Sequence, residues 1–222
     1  MSARHGSGHA DSDASHEPSL VCVVDDDLSV REAVAALVGS AGWRAATFAT
    51  AQAFLDAPAP SVPACAVLDL ALPDLDGLEL QQRLSGLGRE MPIIFLTGRG
   101  DIPMTVRAMK AGALEFLTKP CDPSVLLDAI GRALERSRAA RRQADDLRAI
   151  QERYDALTRR EREVMSWVVA GLLNKQIGAE IGTSEITVKA HRGRVMQKMQ
   201  AASLPDLVRM AGRLGVPLPR RR

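Results

Sequence analysis

The stretch that decides the fold is ACAVLDLALPDLDG, Ala64–Gly77. It opens with an apolar run, Ala64–Leu68, of the length and composition typical of a strand buried in a parallel sheet. The run ends at Asp69, and Pro73 and Gly77 mark the loop that follows. The same kind of reading predicts four further strands along the first 120 residues: Leu20–Val24, Arg44–Phe48, Ile93–Leu96 and Leu114–Leu117.

Helical patterns alternate with these strands. Ser29–Glu32 has the spacing of a capping box and is interpreted as the start of the first helix. Asp101 is expected to cap a helix that runs through Ala111, and Pro123 to open the last one. Strands and helices that alternate in this way predict an α/β fold, a doubly wound five-stranded parallel sheet with helices on both faces.

Five polar residues lie within two positions of the carboxyl ends of the predicted strands: Asp25, Asp26, Asp69, Thr97 and Lys119. In a doubly wound sheet the ligand site lies beyond the carboxyl ends of the strands, so these side chains should share one crevice. Three carboxylates that repel one another favour a hard divalent cation, and oxygen ligands with room for water and phosphate suit Mg²⁺.

A carboxylate beside a metal, a lysine and a hydroxyl is arranged to accept a phosphoryl group. Any one of these residues alone is better explained as a helix cap or a surface charge. The five together at strand ends favour phosphoryl chemistry on Asp69. Asp74 and Asp76, in the loop after Asp69, are interpreted as turn residues, and the alternative is that they raise the local concentration of Mg²⁺.

The charge of the chain is divided unevenly. Residues 20–123 carry 8 Lys and Arg against 13 Asp and Glu, whereas residues 158–222 carry 13 against 5. A basic segment attached to an acidic one is typical of a nucleic-acid-binding module joined to another domain. The back half opens with a second capping box, Thr158–Glu161, and predicts a small all-α domain with helices at 159–170, 174–182, 184–200 and 204–214.

Ser124–Asp155, between the acidic and the basic segment, is rich in strong helix formers. It is interpreted as a long, charged linking helix with room for a short self-pairing stretch, and a solvated helical spacer is an equal alternative. The polar N-terminus is expected to be a disordered leader. The predicted boundaries are 1–19 for the leader, 20–123 for the first domain with its last helix running from 124, 124–156 for the linking helix, 157–216 for the helical domain and 217–222 for a basic tail.

Composition narrows the class of protein. No apolar run reaches the length of a membrane span, and the N-terminus lacks the apolar core of a signal peptide, so a cytoplasmic protein without membrane contact is expected. The three cysteines, Cys22, Cys65 and Cys121, lack C-x-x-C spacing and are expected to be reduced thiols.

Residues 20–123 resemble a receiver domain of two-component systems. The resemblance rests on VVDDD (Val23–Asp27), LDLALPDLDG (Leu68–Gly77), FLTG (Phe95–Gly98) and KAGALEFLTKP (Lys110–Pro120). It departs slightly from the family pattern, since Asp27 stands where a Glu is commoner.

The resemblance to receivers implies a role for each matching residue. Asp69 would be the phosphoacceptor, and the Mg²⁺ ligands would be Asp25, Asp26, Asp69 and the backbone carbonyl of Ala71. Thr97 and Lys119 would bind the phosphoryl group, and Phe116 would be the aromatic partner of Thr97 in the switch. The Lys119–Pro120 peptide bond is expected to be cis.

Leu157–Met199 resembles the DNA-binding domain of LuxR-type regulators, in which a helix-turn-helix places its second helix in the major groove. Ser184 would cap that recognition helix, and Val188, Val195 and Met199 would face the core. Lys189 would be the foremost base contact. The other residues expected at the DNA are Lys175, Thr187, His191, Arg192, Gly193 and Arg194.

Together the two halves resemble the FixJ/NarL class of response regulators, and Gly98–Asp101 and the long helix favour the FixJ side. The resemblance implies a phosphoprotein that a sensor histidine kinase phosphorylates on Asp69. The phosphorylated protein would form a homodimer and bind double-stranded promoter DNA to regulate transcription. RNA polymerase would be a further partner. Such a protein is not an enzyme. Two rivals stay open, a Mg²⁺-dependent phosphotransferase or phosphatase and a regulator that senses a small ligand.

Overall fold

The computed structural model describes residues 19–98 and 102–219. The chain forms two compact units, Met1–Ala140 and Arg141–Arg222, and the boundary between them falls inside one long helix. No helix in the described residues is long and apolar enough to cross a membrane.

The first unit alternates strands and helices, as the sequence predicts. The strands are β1 (Leu20–Val24), β2 (Arg44–Phe48), β3 (Ala64–Leu68), β4 (Ile93–Thr97) and β5 (Glu115–Thr118). The helices are α1 (Leu28–Ser40), α2 (Ala51–Asp56), α3 (Gly77–Gly86), α4 (Ile102–Lys110) and α5 (Pro123–Asp155).

The sheet is parallel throughout, with strand order β2-β1-β3-β4-β5. The reversal of order at β1 makes the sheet doubly wound, so the predicted fold class is confirmed. An apolar cluster covers each face: side chains such as Leu68 and Phe95 pack on one, and Val67 and Ile94 pack on the other. Because β1, β3 and β4 are buried on both faces, they read as continuous apolar runs.

The start of α1 differs from the prediction. Asp27, and not Ser29, is the N-cap residue, and its carboxylate accepts hydrogen bonds from the backbone N–H of Ser29 at 2.8 Å and from its hydroxyl at 2.6 Å. The prediction of a capping box at Ser29–Glu32 is therefore wrong. The ionised carboxylate two positions earlier is the better acceptor for the backbone N–H groups that have no partner within the first turn of the helix. The predicted cap at Asp101 lies outside the described residues.

The fifth strand is shifted by one residue from the predicted Leu114–Leu117. Leu114 donates its backbone N–H to the carbonyl of Ile93, but the paired register runs from Glu115 to Thr118. A short apolar run marks a strand without marking its ends, since the ends are set by the partner strand.

The second unit is helical, as predicted. Its helices are the end of α5, then α6 (Arg159–Val169), α7 (Asn174–Ile181), α8 (Glu185–Met199) and α9 (Leu204–Arg213). They enclose one apolar cluster that includes Val164, Met165, Ile177 and Leu207. The predicted capping box is present, because Thr158 Oγ1 accepts from the N–H of Glu161 and the Glu161 carboxylate accepts from the N–H of Thr158.

Candidate functional site

Two acidic residues meet at the carboxyl edge of the sheet. Val24 and Leu68 are register partners at the ends of β1 and β3, so the next residues, Asp25 and Asp69, emerge side by side. The backbone N–H of Asp69 donates to the carbonyl of Val24 at 2.9 Å. The parallel pairing of the two strands therefore positions both carboxylates.

Asp26 completes an acidic cluster. One carboxylate oxygen from each of Asp25, Asp26 and Asp69 lies within 4.8 Å of the others. Asp25 and Asp69 are buried, whereas Asp26 is exposed. Three carboxylate oxygens this close, with one side open to solvent, form a donor set that fits Mg²⁺, which keeps several waters in its coordination sphere.

Lys119 reaches the same pocket from the end of β5. Its Nζ atom lies 2.5 Å from Asp25 Oδ2 and 3.2 Å from Asp69 Oδ2. Its backbone N–H donates to the carbonyl of Thr97 at 2.8 Å, which fixes the start of the loop. The peptide bond from Lys119 to Pro120 is cis, as expected.

Opposing effects act on the charged groups of the pocket. Burial would raise the pKa of Asp69, but hydrogen bonds from Thr97 and Lys119, together with the Lys119 charge, bring this pKa below its usual value. Burial would lower the pKa of Lys119, but Asp25 and then Asp69 bring it above its usual value. Asp69 is therefore a carboxylate, the nucleophilic form, at neutral pH.

The remaining predicted pocket residues surround Asp69. Thr97 is fully buried at the end of β4 and donates a hydrogen bond to the Asp69 side chain. Phe116 is half-buried, with its ring centroid 6.2 Å from that of Phe95. Ala71 is exposed, and its backbone N–H lies 3.4 Å from Asp69 Oδ1. The structure thus brings together Asp25, Asp26, Asp69, Ala71, Thr97 and Lys119.

Gly77 holds the loop after Asp69 close to β3. A Cβ atom at this position would lie 2.5 Å from the backbone oxygen of Asp69, a distance that side chains do not adopt. The glycine therefore permits the first turn of α3 to pass directly over the acceptor residue.

The acidic residues of the loop have structural partners. Asp76 caps α3 by accepting the backbone N–H of Leu78 at 2.7 Å. Asp74 accepts the N–H groups of Ala51 and Gln52 at the start of α2. These contacts agree with the interpretation of both as turn residues.

The second site is the helix-turn-helix formed by α7 and α8. Gly182 ends α7 with φ of +65°, in the left-handed region that favours glycine. Ser184 caps α8, as predicted, by accepting the N–H of Thr187. A Cβ atom on Gly178 would lie 2.7 Å from the carbonyl oxygen of Thr183, so α7 and the turn before α8 approach too closely for any larger residue.

Opposite faces of α8 differ in character. Val188, Val195 and Met199 are buried, as expected. Lys189 and Arg194 on α8 are exposed and make no ion pair within residues 19–98 and 102–219.

The same holds for Lys175 at the start of α7, which is exposed and unpaired within the described chain. These cations are therefore available to phosphate groups.

The other residues expected at DNA are partly engaged within the protein. The Thr187 hydroxyl lies 2.8 Å from that of Ser184, and Arg192 donates to Asn174 Oδ1 at 3.3 Å. His191 is half-buried, and its Nδ1 has no hydrogen-bond partner among the residues that the structure covers. Gly193 is exposed, with open space around the position of a Cβ atom.

Two features of this domain were not predicted as functional. The buried Glu161 carboxylate accepts from Lys198 Nζ at 2.7 Å, and Lys198 also donates to the carbonyl of Ala156. Ile186, on the first turn of α8, is 81% exposed. Its position on the face opposite Val188 and Val195 is the sequence signal that could have revealed it.

Comparison with known proteins identifies the families of both domains. Residues 21–131 match the family model described as a response regulator receiver domain, and residues 155–211 match that of bacterial regulatory proteins of the luxR family. The chain is 47% identical to nodulation protein W of Bradyrhizobium diazoefficiens over 198 residues, which is 89% of this chain and 87% of the relative.

Other relatives are regulators of transcription. The chain is 46% identical to the transcriptional regulatory protein FixJ of Rhizobium meliloti, over 86% of this chain and 94% of the relative. Among solved structures, the response regulator StyR has a TM-score of 0.80 at 44% identity, covering 88% of this chain and 98% of its own. Full-length FixJ from B. japonicum has a TM-score of 0.53 at 40% identity, covering 89% and 98%. The chain therefore belongs to the response regulators that join a receiver domain to a LuxR-type DNA-binding domain, and within them it is FixJ-like.

Proposed function

We propose that Asp69 accepts a phosphoryl group from a sensor histidine kinase and that this phosphorylation controls DNA binding by the second domain. The observation that carries the proposal is the convergence of Asp25, Asp26, Thr97 and Lys119 on the Asp69 carboxylate. The boundaries 20–123 for the receiver and 157–216 for the DNA-binding domain belong to the same proposal.

Mg²⁺ would be held by Asp25, Asp26, Asp69 and the carbonyl of Ala71. When bound, the ion neutralises charge on the oxygens of the transferred group. The three clustered carboxylates support this role, since their mutual repulsion requires a cation beyond the single charge of Lys119.

The transfer itself forms one bond and breaks one. A carboxylate oxygen of Asp69 attacks the phosphorus of a phosphohistidine, the P–N bond breaks, and its electron pair stays with the imidazole nitrogen. Lys119 Nζ, already 3.2 Å from Asp69, would pair with the phosphoryl oxygens, and the Thr97 hydroxyl would donate to one of them. Most of the catalysis is therefore positioning and electrostatic stabilisation.

Movement of Thr97 would carry the signal away from the pocket. Thr97 now donates to Asp69, and drawing it onto a phosphoryl group would vacate space beside Phe116, whose half-buried ring packs on Phe95. We propose that the ring turns inward and reshapes the surface around α4 and α5. This change would favour a homodimer that presents two recognition helices to paired half-sites of promoter DNA.

The DNA-binding domain would act through contacts of two kinds. Exposed Lys175 and Arg194, with Thr187, His191 and Arg192, would hold phosphates, whereas Lys189 and Gly193 would lie at base edges. RNA polymerase is a further partner in this proposal. The chain would act as a regulator and not by turnover of small phosphate esters.

The direct test is phosphorylation of the full chain with acetyl phosphate and Mg²⁺, followed by intact-mass measurement and binding to a selected DNA duplex. Wild type should gain one phosphoryl group and bind DNA more tightly. Asp69→Asn should do neither. Asp27→Asn is the matched control, since Asn also caps helices and Asp27 lies outside the three-carboxylate cluster.

If Asp69→Asn incorporated phosphate and bound DNA as wild type does, the proposal would be wrong. Continuous release of inorganic phosphate by wild type from many small esters would instead favour an enzyme.

A further inference from the structure

One face of the recognition helix is uncharged, whereas charged side chains flank it. Ile186, Ala190, Gly193 and Gln197 recur at intervals of four, three and four residues, so they form one stripe along α8. All four are exposed, and the stripe lies opposite the buried Val188 and Val195.

Ile186 is the one large apolar side chain of this stripe, and it is 81% exposed. A single exposed isoleucine is unremarkable in itself. Its place is informative, because Ile186 lies on the first turn of α8, and residues near the N-terminus of a recognition helix contact base edges.

The small residues of the stripe have no role in packing. A Cβ atom at Gly193 would meet nothing within 4 Å, so the fold does not require glycine there. Glycine inside a helix is nevertheless unfavourable relative to alanine. A partner that approaches the helix backbone closely at Gly193 and Ala190 would explain why both positions hold small residues.

The charges beside the stripe indicate what that partner is. Lys189 and Arg194 flank it on α8, and Lys175 lies at the start of α7. Exposed cations beside a narrow neutral ridge complement the negative charge of DNA: Arg194 and Lys175 would meet phosphates, and Lys189 would meet a base edge in the major groove.

We infer that Ile186 is a specificity-determining residue that packs against the C5-methyl group of a thymine in each half-site. Thymine is the base that offers an apolar group in the major groove, and an isoleucine has no hydrogen-bonding group with which to read any other edge. The inference rests on the proposed DNA-binding function and deepens it. Lys189 would then supply a polar contact to a base edge beside the apolar contact that Ile186 makes with the thymine methyl group.

The test begins with selection of a binding site from a randomised duplex library by the full chain treated with acetyl phosphate and Mg²⁺. Each thymine of the selected duplex is then replaced singly by uracil, which removes only the methyl group. For wild type, one replacement in each half-site should weaken binding about fourfold, the effect of one buried methyl group. Ile186→Ser should bind the thymine duplex more weakly and lose that sensitivity, with less than about a twofold effect of uracil.

Leu218→Ser is the matched control. Leu218 is also a strongly exposed apolar residue of the second unit, at 60%, but it follows α9 and lies outside α8. This variant should keep the wild-type response to uracil. Thermal unfolding should be unchanged in both variants, since neither side chain is buried.

The outcomes separate this inference from the function on which it rests. If wild type selected no sequence, the proposed function itself would fail. If wild type selected a site but Ile186→Ser responded to uracil as wild type does, the specificity role alone would be overturned. If Ile186→Ser lost self-association but kept its sensitivity to uracil, Ile186 would belong to a protein contact, and the specificity role would again be overturned.

Discussion

The Nζ atom of Lys119 lies 3.2 Å from Oδ2 of Asp69, although 50 positions separate the two residues in the chain. The same ammonium group lies 2.5 Å from Asp25. Lys119 therefore lies in the acidic pocket as a cation between two carboxylates. Its charge should compete with a metal and assist a phosphoryl group.

Lys119→Met separates these two effects. Removal of one positive charge from beside three carboxylates should tighten Mg²⁺ binding on the order of tenfold. The same variant should lose most of the increase in DNA affinity on phosphorylation, because the phosphoryl oxygens lose their cationic partner. Calorimetric titration with Mg²⁺ measures the first effect. The affinity for DNA before and after treatment with acetyl phosphate measures the second. Lys110→Met, at the exposed end of α4, is the control. Weaker Mg²⁺ binding in Lys119→Met would contradict the competition.

Gly77→Ala should disturb the acceptor residue through its backbone. The added Cβ atom would lie 2.5 Å from the Asp69 backbone oxygen, so the loop or β3 must shift. We expect a loss of roughly 1–3 kcal/mol in the free energy of unfolding and slower phosphorylation by acetyl phosphate. Gly86→Ala, in the same helix, meets nothing within 4 Å and should be neutral or stabilising by up to about 1 kcal/mol. Equal effects of the two substitutions would show that close approach at Gly77 is unimportant.

Glu161 should make the DNA-binding domain sensitive to acid. The hydrogen bond from Lys198, and then that from the N–H of Thr158, lower the pKa of Glu161 from its ordinary 4.5 to about 2. A carboxyl group with a depressed pKa stabilises the fold fully above its ordinary pKa, and this stabilisation is lost as the pH falls from about 4.5 towards about 2. Glu161→Gln should therefore lower stability at pH 7 by roughly 1–3 kcal/mol and flatten the decline below pH 5.

Urea unfolding followed by the fluorescence of Trp167, in a Trp43→Phe background, measures this effect in the second domain alone. Glu163→Gln is the control, because Glu163 forms an exposed ion pair with Arg160 and should contribute less than about 1 kcal/mol. If the pH dependence of stability were unchanged in Glu161→Gln, the Glu161 carboxylate would not be the cause of the decline in acid.

Gly193 and Gly178 should respond oppositely to alanine. Gly193→Ala adds a methyl group in open space within α8 and should stabilise the domain by about 1 kcal/mol. It should nevertheless weaken binding to the selected duplex, since the methyl group would face the bases. Gly178→Ala places a Cβ atom 2.7 Å from the Thr183 oxygen and should destabilise the domain by roughly 1–3 kcal/mol. Unaltered DNA affinity in Gly193→Ala would show that the methyl group fits the interface.

Much of the fold could be predicted because it depends on local patterns. Buried strands such as β3 are continuous apolar runs, and helices such as α6 begin at a capping box that four residues define. The start of α1 could not be predicted in this way. Asp27 and Ser29 are both good caps, and which one binds the free N–H groups depends on where β1 delivers the chain.

The candidate pocket was predictable for a similar reason. Parallel strands present their carboxyl ends at one edge, so the order of strands and acidic residues in the chain implies that Asp25, Asp26 and Asp69 converge. The burial of Asp25 and Asp69 and the double contact of Lys119 could not be predicted, because both depend on how the chain packs around the pocket, including β5 against β4.

The sequence by itself therefore determined the order of elements, the two domains' classes and the residue types brought to the sheet edge, since these follow from periodicity and strand polarity. Tertiary structure alone decided which carboxylate Lys119 approaches most closely and which glycines have no room for a side chain. The physical reason is that exposure and close contact are properties of packed surfaces, and they depend on neighbours that lie far away in the chain.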